Sequence, residues 1–132
     1  MNAPRIGHIG VIVDDLDQAI ALFENLFDLK PARVHAMEDV GIKIAHMNAE
    51  NIDIELIQYT REEGNLAREV MGAKSGINHI SVEVRDVHAA VNGFDKQGVK
   101  VMEGFPRPGS HGTVAFFRPE TTEGLLLEVC EP

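Results

Sequence analysis

One phrase of this chain is written twice: His8-Ile-Gly-Val-Ile-Val-Asp-Asp-Leu-Asp-Gln-Ala19 returns 71 residues later as His79-Ile-Ser-Val-Glu-Val-Arg-Asp-Val-His-Ala-Ala90. Both copies fit the pattern H-I-x-V-x-V-x-D-x-x-x-A. Such a duplication constrains the fold strongly, because whatever the first copy forms, the second is expected to form as well. With 132 residues the chain has the size of about one domain, so the copies read as half-domains of one architecture rather than as two independent domains.

In the first copy Ile9, Val11 and Val13 alternate with His8, Gly10 and Ile12, the period of a β-strand. This strand is expected to bury Ile9, Val11 and Val13 and to turn His8 to the opposite face. Asp15 is then placed to cap a helix, with Leu16, Ile20, Phe23 and Phe27 at helical spacing. The second copy predicts the same: Ile80, Val82 and Val84 on the buried face, Asp86 as cap, Val87, Val91 and Phe94 as the helix stripe, and Gly98 as the stop. Three further strands are predicted after each helix, over 31–38, 41–47 and 52–59 and over 99–103, 112–118 and 124–130. The expected fold is therefore α+β, with two tandem βαβββ modules at about 5–59 and about 77–132 in a single domain spanning 1–132. A polar connector at about 60–76 joins them, with a short helix around Leu66 to Met71.

The last strands of the modules correspond as well. Ile52, Ile54 and Leu56 alternate with Asp53 and Glu55, while Leu125, Leu127 and Val129 alternate with Leu126 and Glu128. Each module thus sets an acid on the face opposite its helix. His8 precedes Glu55 by 47 residues and His79 precedes Glu128 by 49. A strand-borne His or Glu taken singly is more often a polar residue facing solvent. As a repeated pair of matching parity, His8, Glu55, His79 and Glu128 point to a metal site: two neutral imidazoles and two carboxylates neutralise a divalent ion such as cobalt, nickel, zinc or manganese. Coordination positions left open would take a substrate oxygen and stabilise an oxyanion or enolate. Gln58 lies on the strand face opposite Glu55, so Glu55 is preferred as ligand, although a β-bulge would reverse that choice.

The remaining composition narrows the partners. Twelve basic against 21 acidic residues give a net charge of −9, with no basic run, which argues against nucleic acid or an anionic membrane surface as partner. A single cysteine, Cys130, fits a reducing compartment and a packing role. No apolar run approaches the roughly 18 residues of a membrane span, and no signal segment opens the chain. A soluble cytoplasmic protein is expected. His35, His46 and His88 have no counterpart in the other module and are assigned to packing or to the surface.

Beyond the duplicated phrase the chain carries Gly76-Ile-Asn-His79, the run Pro106-Arg-Pro-Gly-Ser-His-Gly-Thr-Val-Ala-Phe-Phe-Arg-Pro119, and Gly124-Leu-Leu-Leu-Glu128. In these motifs it resembles the vicinal oxygen chelate superfamily (glyoxalases, bleomycin resistance proteins and dioxygenases), and within it the methylmalonyl-CoA epimerase family. The His and terminal Glu motifs mark the superfamily; the Pro-Gly-Ser-His-Gly loop and the long connector are more particular to the epimerases. The resemblance implies a cupped metal site, cobalt being the first choice of ion, and a small acyl-CoA substrate. It also implies a homodimer and a proton transfer between two carboxylates on opposite faces of the reacting carbon. Glu128 matches the family residue that both touches the metal and serves as one base. The second base precedes a glycine in the family; aligned on Gly41 that position is Asp39, with Glu38 beside it. Arg118-Pro-Glu120 stands where the epimerases usually have His-Pro-Lys, which leaves Arg107, Arg118, Lys96 and Lys100 to meet phosphates and His111 to shape the pocket mouth. Two other activities match part of this pattern. A glyoxalase I, acting on a glutathione hemithioacetal, shares the ligand set and needs no acid at Asp39. A metal-free binding or resistance protein shares the fold, but has no use for four retained ligand types.

Overall fold

The computed structural model describes residues 3–110 and 112–132. The chain forms two compact units, one of His8–Asn78 and one combining the residues up to Gly7 with His79–Pro132. Among the described residues no helix is long and apolar enough to cross a membrane.

The first unit carries, in order, strand β1 (Ile6–Ile12, which it takes up at His8), helix α1 (Leu16–Phe27), strands β2 (Pro31–Met37), β3 (Ile42–Asn48) and β4 (Asp53–Tyr59), and helix α2 (Leu66–Met71). Its strand order is β2-β3-β4-β1, with β1 parallel to β4 and the other pairs antiparallel. The Asp15 side chain accepts from Gln18 N at 3.0 Å and caps α1 as expected. Leu16, Ala45, Met47 and Leu56 form a core beneath α1 with Val11, Val13, Ile20 and Phe23 against it. The other sheet face is covered too, by Ile12, Val40, Ile42, Ile44, Ile57 and Ala67. This second cluster corrects one expectation. In β1 the deeply buried positions are His8, Gly10 and Ile12, while Ile9 and Val11, and Val13 just past the strand, are half-buried. Phe27 is a further correction, 68% exposed at the last residue of α1, with its ring edge-on to Phe23.

The second unit carries strand β5 (Gly76–Glu83, which it takes up at His79), helix α3 (Val87–Asp95), strands β6 (Arg107–Pro108) and β7 (Thr113–Phe116), a 3-10 turn at Pro119–Thr121, and strand β8 (Leu127–Cys130). The order is β5-β8-β7-β6, with β5 parallel to β8. Asp86 caps α3 through Ala89 N at 3.1 Å, and Val87, Val91, Ala115, Phe117 and Val129 make the core. Here the regular pattern is interrupted. The strand expected over 99–103 is reduced to a single bridge, Val101 to Phe117. Lys100 N turns to the Thr121 hydroxyl at 3.1 Å instead of a ladder carbonyl, and Gly104 has φ +87. The strand expected over 124–130 begins only at Leu127, because Glu123 and Gly124 take positive φ values of 60 and 78. Ile80, expected inside, is 42% exposed, and the buried members of β5 are His79 and Ser81.

The turn between β2 and β3 is held from the connector. Asn65 is buried, and its amide donates to Gly41 O at 2.7 Å and to Arg61 O at 2.8 Å, while its oxygen accepts from Arg68 N at 2.9 Å and caps α2. Arg61 Nη1 donates to Glu38 O at 2.8 Å. Gly41 has φ +83, and a Cβ there would lie 2.4 Å from Asn65 Nδ2. Gly41→Ala is therefore expected to destabilise the chain by about 1–3 kcal/mol, read from chemical denaturation. Asn65→Ala removes the clash but not the backbone strain, so it should not restore the double variant to wild-type stability.

Tyr59, at the end of β4, donates its hydroxyl to Gly72 O at 2.5 Å. Burial pushes its pKa from 10.0 up to about 12, against the lowering effect of the Arg68 charge. The folded chain thus holds this proton more tightly than the unfolded chain. The stabilisation is complete below pH 10 and is lost as pH rises towards about 12. Urea denaturation should show wild type losing more stability than Tyr59→Phe across that window; parallel losses would contradict this.

Candidate metal centre

Each unit buries one histidine and one glutamate on adjacent parallel strands. In the first, β1 pairs Gly10 with Glu55 of β4, so His8 lies two positions along the same strand face from Gly10. In the second, β5 pairs Ser81 with Glu128 of β8, and His79 lies two positions from Ser81. The duplication therefore reaches strand register. His8 Nδ1 stands 3.2 Å from Glu55 Oε2, and His79 Nε2 stands 3.7 Å from Glu128 Oε1. Exposure is 5% for His8, 3% for Glu55, 4% for His79 and 5% for Glu128, far from the solvent-facing state of ordinary polar strand residues.

Taking a carboxylate out of water costs several kcal/mol unless a charge or hydrogen-bond donors compensate it. A neighbouring imidazole supplies part of that compensation. The Ser81 hydroxyl, fully buried and in register with Glu128, has no hydrogen-bond partner among the described residues, which marks this pocket of the second unit as polar beyond what its own side chains use. Neutral imidazole nitrogen and carboxylate oxygen are the donor types of cobalt, nickel, zinc and manganese sites. The residues present fit such an ion.

Gln58 is engaged elsewhere: its side-chain oxygen accepts from Leu16 N at 2.7 Å, at the start of α1. Glu55 is the residue that faces His8. His46 is deeply buried. Assigned to packing or surface for want of a counterpart, it is paired directly with Glu55 in the β3–β4 register, and its Nδ1 lies 3.8 Å from Glu55 Oε2. His35 Nε2 lies 2.8 Å from His46 Nε2. The signal was present in the sequence, since a hairpin closing after Asn48 sets His46 across from Glu55. In the second unit the register-equivalent position, opposite Glu128, is held by Phe116, whose ring packs edge-on to His79 with centroids 5.0 Å apart.

The other expected residues lie elsewhere in their own units. Glu38 and Asp39 sit exposed in the turn between β2 and β3. Arg107 is half-buried in β6. Arg118 is exposed, 3.3 Å from Glu120, beside a shallow pocket of about 270 Å³ that Glu103 also lines. This ion pair is solvent-exposed on both sides and leaves the guanidinium reachable from water. Lys100 pairs with Asp95 at 2.9 Å, Lys96 and His88 are exposed, and His111 lies outside the described residues. Cys130 is buried as expected.

The family model described as Glyoxalase/Bleomycin resistance protein/Dioxygenase superfamily matches residues 7–117. The chain belongs to this superfamily. Among curated relatives, ethylmalonyl-CoA/methylmalonyl-CoA epimerase of Cereibacter sphaeroides is 30% identical over 128 residues, covering 95% of this chain and 96% of that protein. Among solved structures, a hypothetical protein from Bacillus halodurans aligns with a TM-score of 0.88 at 27% identity, over 99% of this chain and 96% of that one. A methylmalonyl-CoA epimerase in complex with methylmalonyl-CoA and ammonium aligns with a TM-score of 0.82 at 25% identity, over 97% and 94%.

The packing beside Glu128 is tight enough to test. A Cβ on Gly7 would lie 2.8 Å from Cys130 Sγ. Gly7→Ala should cost about 1–3 kcal/mol, and Cys130→Ala in the same chain should recover much of it, a coupling that a double-mutant cycle by denaturation measures directly.

Proposed function

We propose that this chain is a metal-dependent epimerase that interconverts (R)- and (S)-methylmalonyl-CoA. That it is an enzyme of the epimerase kind rests on its relatives; the choice of substrate and mechanism is our reading. The observation that carries it is the pair of buried His–Glu couples set at equivalent register, His8 with Glu55 and His79 with Glu128. These four residues would hold the ion, cobalt by preference, with nickel, zinc or manganese as alternatives. When bound, the ion supplies positive charge to the substrate oxygens on which negative charge develops.

The chain's own acids move the proton. Glu128 removes it from one side of the carbon between thioester and carboxylate, and an acid of the Glu38–Asp39 turn returns it from the other. Inversion requires two faces, because a single base returns the proton where it took it. The backbone of that turn is fixed by Arg61 and Asn65, which places an exposed carboxylate on a rigid mount. Asp39 is the preferred base on the Gly41 alignment, with Glu38 the alternative. Arg107, Arg118 and His111 would meet the coenzyme, whose anionic phosphates need a local basic rim on a chain of net charge −9. We place the protein in the cytoplasm as a homodimer, with a small acyl-CoA as its partner and neither nucleic acid nor membrane.

The test follows inversion and solvent-deuterium uptake into methylmalonyl-CoA by the cobalt-loaded protein, with the glutathione hemithioacetal assayed beside it. Asp39→Asn should lower inversion by about 10²–10⁴-fold while one enantiomer still takes up deuterium, and His8→Ala or His79→Ala should leave no retained metal by elemental analysis. Full activity in the Asp39→Asn, Glu38→Gln double variant would remove the two-base mechanism. Turnover of the hemithioacetal alone would replace the epimerase with a glyoxalase I.

A further inference from the structure

We propose that His46, oriented by His35, is a positioning residue that holds the Glu55 carboxylate in place for the ion; the inference rests on the reading of Glu55 as a ligand. Three neighbouring strands build the arrangement. β2 contributes His35, β3 contributes His46, and β4 contributes Glu55, with His46 and Glu55 directly opposed in register. The rings of His35 and His46 lie within 9° of a common plane, with centroids 5.0 Å apart and Nε2 atoms 2.8 Å apart. A nitrogen–nitrogen distance that short with centroids that far apart means rings joined edge to edge through a hydrogen bond, not stacked face to face.

That bond decides which nitrogen of His46 carries its proton. In a neutral imidazole one nitrogen donates and the other accepts. Were His46 Nε2 the donor, its Nδ1 lone pair would face the Glu55 carboxylate at 3.8 Å, and the two would repel. With His35 Nε2 donating, His46 carries its proton on Nδ1 and turns an N–H towards Glu55 Oε2. At 3.8 Å this contact is too long for a hydrogen bond and acts by orientation of charge. His8 Nδ1 approaches the same oxygen at 3.2 Å. The carboxylate is thus faced by two imidazoles, and no protonation change of any residue is required. Partners one shell out from a metal ligand commonly set its orientation and affinity in this way.

The second unit supplies the control, since Phe116 occupies the equivalent position opposite Glu128. His46→Phe therefore writes the second module's solution into the first. The experiment titrates the metal-free full chain with Co²⁺ and with Zn²⁺ by calorimetry, and records the visible spectrum of the cobalt form. Against wild type, His46→Phe should weaken binding by about 10–100-fold and shift the cobalt bands, His46→Gln should recover most of the affinity through its amide N–H, and His35→Phe should weaken binding less. His35 is only half-buried, so His35→Phe carries the test if His46→Phe fails to fold. Wild-type affinity and spectrum in His46→Phe and His35→Phe, with only the melting temperature lowered, would overturn the inference and leave His46 a packing residue. A wild-type chain that binds neither ion would instead overturn the four-ligand reading, and this inference with it.

Discussion

Burying a carboxylate in a β-sheet is the demand around which this molecule is organised. Glu55 and Glu128 are almost wholly withdrawn from water, at an effective penalty of several kcal/mol each unless something answers the charge. In both units the answer is a histidine two positions along the adjacent parallel strand. Parallel neighbours cannot be joined by a tight turn and need a crossover. Each unit places a capped helix right after its first strand, α1 behind Asp15 and α3 behind Asp86, and brings its last strand back beside the first. The βαβββ order is thus the route by which one short segment returns a Glu to a His.

Much of this was legible in the sequence for a plain reason. Alternation of apolar and polar residues reports strand faces, and duplication let each half check the other, so the caps, the short helix at Leu66–Met71 and both His–Glu couples could be read from residue order. Depth of burial was not legible. Ile80 carries the apolar signal yet stands 42% exposed, while His79 and Ser81 beside it are buried, because burial depends on what later elements cover. The strand expected over 99–103 failed for a related reason: a side-chain acceptor, Thr121, 21 residues away, takes the N–H that a ladder would have used. His46 was missed because repetition was the guide, and the interaction it makes has no copy in the other half.

The acidic turn shows rigidity and exposure separated within four residues. Its main chain is tied at Glu38, Val40 and Gly41 to Arg61, Ala67 and Asn65, and its acidic side chains remain at the surface. Backbone precision with side-chain access suits groups that must meet a substrate. The ties run to the connector, so the segment that joins the duplicated phrases also helps to shape the turn.

The difference between His46 and Phe116 carries a consequence for how a duplicated fold acquires unequal parts. Symmetric modules begin with interchangeable carboxylates, and a single cross-strand position is enough to end the exchange. The polar ring opposite Glu55 turns a nitrogen towards it, whereas the ring opposite Glu128 is an apolar phenyl packed on His79. The two glutamates can then take unequal roles without any change in chain path or strand register. Divergence among proteins built on this duplicated plan has, in that position, a control that alters the chemistry of one half while leaving the architecture of both intact.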